Sequence, residues 1–318
     1  MLFSRLKRGS ILVAILVATG ATLLSGIARG APVEHVIIIS IDGLRPDAIS
    51  ATRMPNLQRL IQRGVHASNA QTVRPSLTIP AHVSMLTGLD SNRHKVTRET
   101  VGRGYYGQPT VHSIAKAAGL TTAMFFSKEK LDFLANPDNL DFIYGPQRHR
   151  KISVDTSANA IADAFDTAWS SNKYALTFIH LRELDGAGHW WGWMSKAYLS
   201  AATKADRAVG RILATVADSG VEEKIAVLVT ADHGGHGRSH REIRPEIMTI
   251  PWVVVGPGTP AGIAIEKNIH IYDTAPTVLA LLGLSAPTNL DGHVIEEVRA
   301  DTKGRLSTFI LMRRWPFL

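Results

Sequence analysis

Five short, nearly unbroken apolar runs leave this chain few folds to choose from. They are HVIIISIDG (His35 to Gly43), TTAMFF (Thr121 to Phe126), YALTFIHL (Tyr174 to Leu181), KIAVLVTADHG (Lys224 to Gly234) and IPWVVVGPG (Ile250 to Gly258). Runs without polar alternation are what strands buried on both faces look like. Between them lie MPNLQRLIQRG, TVHSIAKAAG, SANAIADAFDTAWSS and SKAYLSAATKADRAVGRILATVADSG, all with helical spacing. A sheet that is apolar on both faces needs helices on both faces. The alternation therefore predicts an α/β fold, a doubly wound, mostly parallel sheet flanked by helices on both sides. Neither an internal repeat nor a low-complexity linker breaks the chain, which reads as one domain over residues 31–318.

The first 30 residues stand apart. Arg5, Lys7 and Arg8 precede the apolar stretch ILVAILVATGATLL, and the small residues Ala28, Gly30 and Ala31 follow it. This is the pattern of a secretory signal peptide over residues 1–30, so the mature chain is expected to be exported, periplasmic or secreted. The rival is an uncleaved anchor reaching toward Ile27, the one case in which the chain would meet a membrane. Gly20, Ser25 and Gly26 interrupt that longer run. There is no cysteine, which excludes disulfides, thiolate metal ligands, a cysteine nucleophile and a lipidated cysteine together. The net charge of +8 includes four basic and no acidic residues in the leader; removing them leaves 31 basic against 27 acidic residues, or +4. A surplus that small and that dispersed calls for no nucleic-acid polymer and suits a small anionic substrate.

In sheets of this kind ligands collect at the carboxyl ends of strands. Asp42 ends the first run, HLRELDGAGH with Asp185 and His189 follows the third, and Asp232-His233 ends the fourth. Taken one at a time, a strand-end Asp before Gly is a turn or cap residue, and Asp185 with His189 is a local hydrogen bond. Together they put carboxylates and imidazoles from separate strands at one sheet edge. Oxygen and nitrogen ligands without thiolate suit zinc, manganese or another divalent ion.

RPSLTIPAHVSMLTG (Arg74 to Gly88) supplies a group for such ions to act on. Thr78 stands where the helix AHVSMLTG begins, a position that favours negative charge. By itself Thr78 could be only an N-cap; beside metal ligands it reads as a metal-activated alkoxide nucleophile.

SIDGLRPD, LTIPAHVSMLTG, LDGAGH, TADHGGHGRSH, TIPWVVVGPG and DTAPTVLALLGL with its later LDG resemble, in order, the alkaline phosphatase superfamily and its type I phosphodiesterase/nucleotide pyrophosphatase branch. The resemblance covers His35 to Gly292. It implies an alkaline-phosphatase-like fold with two divalent ions, usually zinc. One would be held by Asp42, Asp232 and His233 with Thr78 beside it, the other by Asp185, His189 and a third histidine. The short-loop members of the superfamily point to His240 as that third ligand, with His236 the rival; His270 and His293 are the only later candidates. The implied reaction is in-line attack of Thr78 on a small-molecule phosphate ester, giving a phospho-threonine that water releases on the Asp185 side.

Ala81 stands where nucleotide pyrophosphatases carry an asparagine that helps bind phosphate, which weakens a nucleotide assignment. Lys128, in FFSKEKL, could add positive charge at the substrate or be a solvated strand-end lysine. The segment between Lys128 and Lys173 leaves room for only a small insertion. Trp190, Trp191 and Trp193 could wall a leaving group or pack a helix. His35, His66, His94, His112, His149, His180 and His270 read as structural or surface residues. A phosphomonoesterase, a phosphoethanolamine-type transferase and a non-catalytic binding relative are the alternatives. A sulfatase is excluded by the lack of a cysteine or a suitable serine at Thr78. The oligomeric state is not encoded in any pattern of this chain.

Overall fold

A computed structural model of the chain describes residues 33–97, 104–148 and 150–299. The leader, the C-terminal tail and His149 lie outside the described residues. Eight strands form one sheet: β1 (His35–Ile41), β2 (Val65–Gln71), β3 (Thr122–Phe125), β4 (Phe142–Tyr144), β5 (Leu176–Leu181), β6 (Ile225–Thr230), β7 (Thr249–Val255) and β8 (Ile263–Ala264). Their order across the sheet is β4-β3-β5-β1-β6-β7-β2-β8. All pairings are parallel except those of β7 with β6 and β2, so β7 is the single reversed strand. Its apolar run resembles the others because burial on both faces sets composition and says nothing about direction.

The central strands β1, β5 and β6 are buried along their whole length. β2, β4 and β8 are the strands that no apolar run announces; they are short, or polar, or lie toward the sheet edges. The helices are α1 (Pro55–Arg63), α2 (Thr78–Thr87), α3 (Ser91–His94), α4 (Val111–Ala117), α5 (Ala158–Ser171), α6 (Glu183–Trp191), α7 (Lys196–Asp218), α8 (Pro245–Met248) and α9 (Thr274–Leu281). Around α7 pack α1, α5 and α6, while α2, α4 and α9 form a second group, and the two groups cover the two faces of the sheet. The residues between Lys128 and Lys173 are built into this frame, since they supply edge strand β4 and helix α5. Among the described residues no helix is long and apolar enough to cross a membrane.

Two junctions prepare the site. Gly43, with φ of +76°, turns the chain as it leaves β1, and a Cβ there would lie 3.1 Å from Asp185 Cα, so glycine lets the two segments touch. Its N–H donates to Asp232 Oδ1 at 3.1 Å, and its carbonyl accepts from Trp193 Nε1 and Tyr198 Oη. The turns after β1, β5 and β6 are thereby locked together.

Candidate active site

Asp42 follows β1 directly, Asp232 and His233 follow β6, and Asp185 and His189 lie on α6 just beyond β5. Asp185 thus lies in the first turn of a helix. Its N–H donates to the Asp42 carbonyl at 3.0 Å, which seats the start of α6 against the end of β1. Thr78 is the first residue of α2 and is 2% exposed. Leu77 is the N-cap and no side chain caps this helix, so the hydroxyl of Thr78 is free for other work.

Three histidines share one arrangement. His189 Nδ1 donates to the Arg238 carbonyl at 3.0 Å, His233 Nδ1 to the Gly234 carbonyl at 2.8 Å and His240 Nδ1 to the Ser76 carbonyl at 2.6 Å. Each bond fixes the tautomer and turns the Nε2 lone pair inward, as histidine ligands of metals are held. The rings of His233 and His240 stack with centroids 3.7 Å apart. His236 is exposed, with Nδ1 3.9 Å from Glu246, and lies apart from this group.

The inward atoms do not satisfy one another. Asp42 Oδ1, Asp185 Oδ1, Asp232 Oδ2 and His233 Nε2 are all buried without a hydrogen bond. His233 Nε2 lies 3.3 Å from Asp232 Oδ2, 3.6 Å from Asp42 Oδ1 and 3.9 Å from Asp185 Oδ1. A lone pair facing carboxylate oxygens across such gaps is unfavourable unless a cation lies between them. This donor set fits divalent metal. Asp185, His189 and His240 each offer a ligand atom within 4.8 Å of the others, and so do Asp42, Asp185 and His233. Asp185 belongs to both groups, whereas the resemblance had placed it with His189 and His240 alone; Asp232 borders the group of Asp42, Asp185 and His233, its Oδ2 lying 3.3 Å from His233 Nε2.

The charges are strongly coupled. Burial would raise the Asp42 carboxyl, but Lys128 and His180 more than offset this and hold it well below the usual range. Burial and Asp42 likewise oppose ionisation of Asp185, yet His189, Lys128 and His233 bring it down to about 2. Asp232 is raised by its burial and by Asp42. Burial, with His233 beside it, lowers His240 to about 3, so its imidazole stays neutral. Lys128 resists its own burial because Asp42, Asp185 and Asp232 surround it. Its Nζ lies 2.6 Å from Asp42 Oδ2, 2.5 Å from Asp185 Oδ2 and 3.4 Å from Thr78 Oγ1.

Sequence reasoning missed three contributors. His180, set aside as structural, donates Nε2–H to Asp42 Oδ2 at 2.9 Å while Nδ1 meets Ser127 Oγ at 2.9 Å. His82, one turn after Thr78, bonds the Thr78 carbonyl through Nδ1 at 2.6 Å, and that same nitrogen faces Asp232 Oδ2 at 3.7 Å. The four-residue spacing from Thr78 was the available signal. Lys130 places Nζ 3.5 Å from Thr78 Oγ1. The tryptophans divide: Trp190 and Trp191 are 76% and 67% exposed, whereas Trp193 is buried against Gly188 and Gly235.

An eight-stranded sheet of this topology, with carboxylates and imidazoles gathered at its strand ends beside a helix-borne threonine, has the architecture of the alkaline phosphatase superfamily. Residues 36–305 match the type I phosphodiesterase/nucleotide pyrophosphatase family, and the chain belongs to it. It is 25% identical to the bis(5'-adenosyl)-triphosphatase enpp4 of Xenopus laevis over 63% of this chain and 46% of that protein. With ectonucleotide pyrophosphatase/phosphodiesterase family member 7 of Mus musculus it shares 23% identity over 70% of this chain and 55% of the relative. A segment covering 30% of the chain is 31% identical to 19% of arylsulfatase K of Danio rerio. The chain thus spans about half or less of these relatives. Among solved structures, an inactive variant of murine ectonucleotide pyrophosphatase/phosphodiesterase 5 in complex with AMP superimposes with a TM-score of 0.65 at 15% identity, covering 81% of this chain and 97% of that one. A phosphonate monoester hydrolase from Silicibacter pomeroyi gives a TM-score of 0.64 at 18% identity over 86% and 78% of the two chains.

Proposed function

We propose that the chain is a metal-dependent phosphoric ester hydrolase of the phosphodiesterase/nucleotide pyrophosphatase type, acting through a phospho-threonine at Thr78. The observation that carries this reading is the convergence of buried, unpartnered Asp42, Asp185, Asp232 and His233 atoms at strand ends joined through Lys128 to the Thr78 hydroxyl. Asp42, Asp185, Asp232 and His233 would hold one divalent ion beside Thr78, and Asp185, His189 and His240 a second, zinc being the expected metal. Bound there, two such ions supply positive charge to a phosphoryl oxygen and lower the pKa of a nearby hydroxyl.

The rest falls to the chain. The amino end of α2 presents Thr78 with the positive end of the helix dipole behind it, which favours the alkoxide over the hydroxyl. His82 fixes the Thr78 carbonyl, and with it the first turn of the helix. Lys128 offers an ammonium 3.4 Å from the nucleophilic oxygen. The half-exposed edge of His189 leaves the site open to solvent on the side from which water would reach the phospho-threonine. The substrate is a small phosphate ester rather than a nucleic-acid polymer. Cleavage of the leader over residues 1–30 would place the enzyme outside the cytoplasm.

The test is metal content together with hydrolysis of a chromogenic phosphodiester and a chromogenic monoester by the full chain and by Thr78→Ala. About two metal ions per chain and ester cleavage lost in Thr78→Ala are expected. Full activity after exhaustive chelation would refute the proposal.

A further inference from the structure

We infer that the end of α6 and the loop carrying His240 form a docking surface for an anionic phospholipid bilayer, with Trp190 and Trp191 as apolar anchors and Arg238 and Arg241 as the charges beside them. This goes beyond the proposed reaction and does not depend on it.

α6 closes on Trp190 and Trp191, which are 76% and 67% exposed. Ile243, on the segment after His240, is 65% exposed, and these are the three most exposed large hydrophobic side chains among the described residues. The two segments that carry them are joined. His189 Nδ1 donates to the Arg238 carbonyl at 3.0 Å, and the Trp193 N–H donates to the Gly237 carbonyl at 2.8 Å. Gly192, with φ of +91°, permits that approach, since a Cβ there would stand 3.2 Å from the same Gly237 oxygen. Of the three neighbouring tryptophans only Trp193 serves the interior, donating Nε1–H to the Gly43 carbonyl. The other two turn outward, and their indole N–H groups make no hydrogen bond among the described residues. An indole with a wet N–H and an apolar body is the side chain that settles at a membrane–water boundary.

The charges complement such a boundary. Residues 189–196 and 236–244 hold Lys196, Arg238, Arg241 and Arg244 against Glu242 alone, four basic residues less one acid, or +3, whereas all of residues 31–318 carry only +4. Glu242 lies 3.5 Å from Arg244, and Glu246 further on faces His236 at 3.9 Å. Arg238 and Arg241 are exposed and make no ion pair among the described residues. Unpaired guanidinium groups meet lipid phosphates while the indoles reach the headgroup and acyl-chain boundary beneath them. The contact is peripheral, because no described helix is long and apolar enough to cross a membrane. It would bring the chain to a membrane with or without the leader, and with the half-exposed edge of His189 beside the headgroups.

The experiment uses the full chain, the double variant Trp190→Ser with Trp191→Ser, and the double variant Arg238→Gln with Arg241→Gln. Each is sedimented with vesicles of phosphatidylcholine alone and of phosphatidylcholine with about 30% phosphatidylglycerol, and tryptophan fluorescence is followed with brominated acyl chains as quencher. Wild type should partition onto the anionic vesicles. The tryptophan variant should partition roughly 30-fold less, as expected for two aromatic side chains partly withdrawn from water. The arginine variant should lose about 10-fold on the anionic vesicles and under about twofold on phosphatidylcholine, a difference that about 0.5 M salt should erase. Quenching localises the contact: the leader holds no tryptophan, Trp169, Trp193 and Trp252 are buried, and Trp315 of the tail is common to all three proteins. Wild type that ignores anionic vesicles, or that is quenched no more than the tryptophan variant, would overturn the inference. Self-association that depends on the two tryptophans, without vesicle binding, would give this face to a second copy of the chain instead.

Discussion

With the two-ion site proposed above, replacing Asp185 by alanine should cost the protein both metal ions, whereas replacing His189 should cost one. Asp185 Oδ1 lies 3.2 Å from His189 Nε2, 3.7 Å from His240 Nε2 and 3.9 Å from His233 Nε2, with no hydrogen-bond donor of its own. Among the described residues it is the one carboxylate placed to serve both donor groups. A four-ligand zinc site is worth about 10–16 kcal/mol, so one ligand carries roughly 3 kcal/mol, or about 100-fold in affinity. Asp185→Ala should therefore weaken both sites by about 100-fold, while His189→Ala weakens one by that factor and leaves the other within about threefold. Loss of the carboxylate also leaves Lys128 paired with Asp42 alone, which adds to the effect at the first site. Zinc content after dialysis against a graded series of chelators resolves the two sites. The fold is not at risk, because the bond from the Asp185 N–H to the Asp42 carbonyl does not involve the side chain. If Asp185→Ala kept one site of undiminished affinity, the shared-ligand argument would be wrong.

Three further outcomes follow from contacts around the site and its frame. His180→Phe keeps the ring volume but removes the N–H donated to Asp42, and should lower zinc affinity by about 10- to 100-fold in the same chelator series with little change in melting temperature. Asp206→Ala should destabilise the protein by about 2 kcal/mol or more in urea unfolding, because this buried side chain on α7 accepts from the backbone N–H groups of Asn56 and Leu57 and so caps α1, whose own N-cap residue Met54 has no capping side chain. Burial lowers His112 from the ordinary value to about 4, so the folded state favours its neutral form. The resulting stability is whole above about pH 6.5 and is lost as the pH falls toward 4, at most about 3 kcal/mol from this group, and His112→Gln should flatten that part of the stability profile.

The frame was legible because burial leaves its mark on composition. β1, β5 and β6 were readable as strands, and Asp42 and Asp232 as their terminal groups, since a residue's place at a strand end follows from chain order alone. The direction of β7 was not readable, because parallel and antiparallel central strands bury the same side chains. β2 escaped notice for the opposite reason: its exposed Ser68 and Asn69 sit where the register with β7 shifts, and they break the apolar pattern.

What the sequence could not supply was register across the sheet and the course of the turns above it. His180 reaches Asp42 because β5 pairs with β1 such that it stands opposite Ser40, and no local pattern sets that offset. A shift of one residue would turn its imidazole to the other face, away from Asp42, and a histidine inside an apolar strand would have stayed a structural residue. The same holds for His240 against His236. Both follow Asp232 on a segment whose glycines, Gly234, Gly235 and, before His240, Gly237, could carry either one back to the strand end. What separates them is a distant contact: the Ser76 carbonyl accepts from His240 Nδ1 and the Ser76 hydroxyl donates to the His240 carbonyl. Two bonds from the segment that carries Thr78 thus draw in one histidine and leave the other at the surface. Thr78 and His240 are therefore positioned by the same loop, so a substitution that frees Ser76 would disturb nucleophile and ligand together.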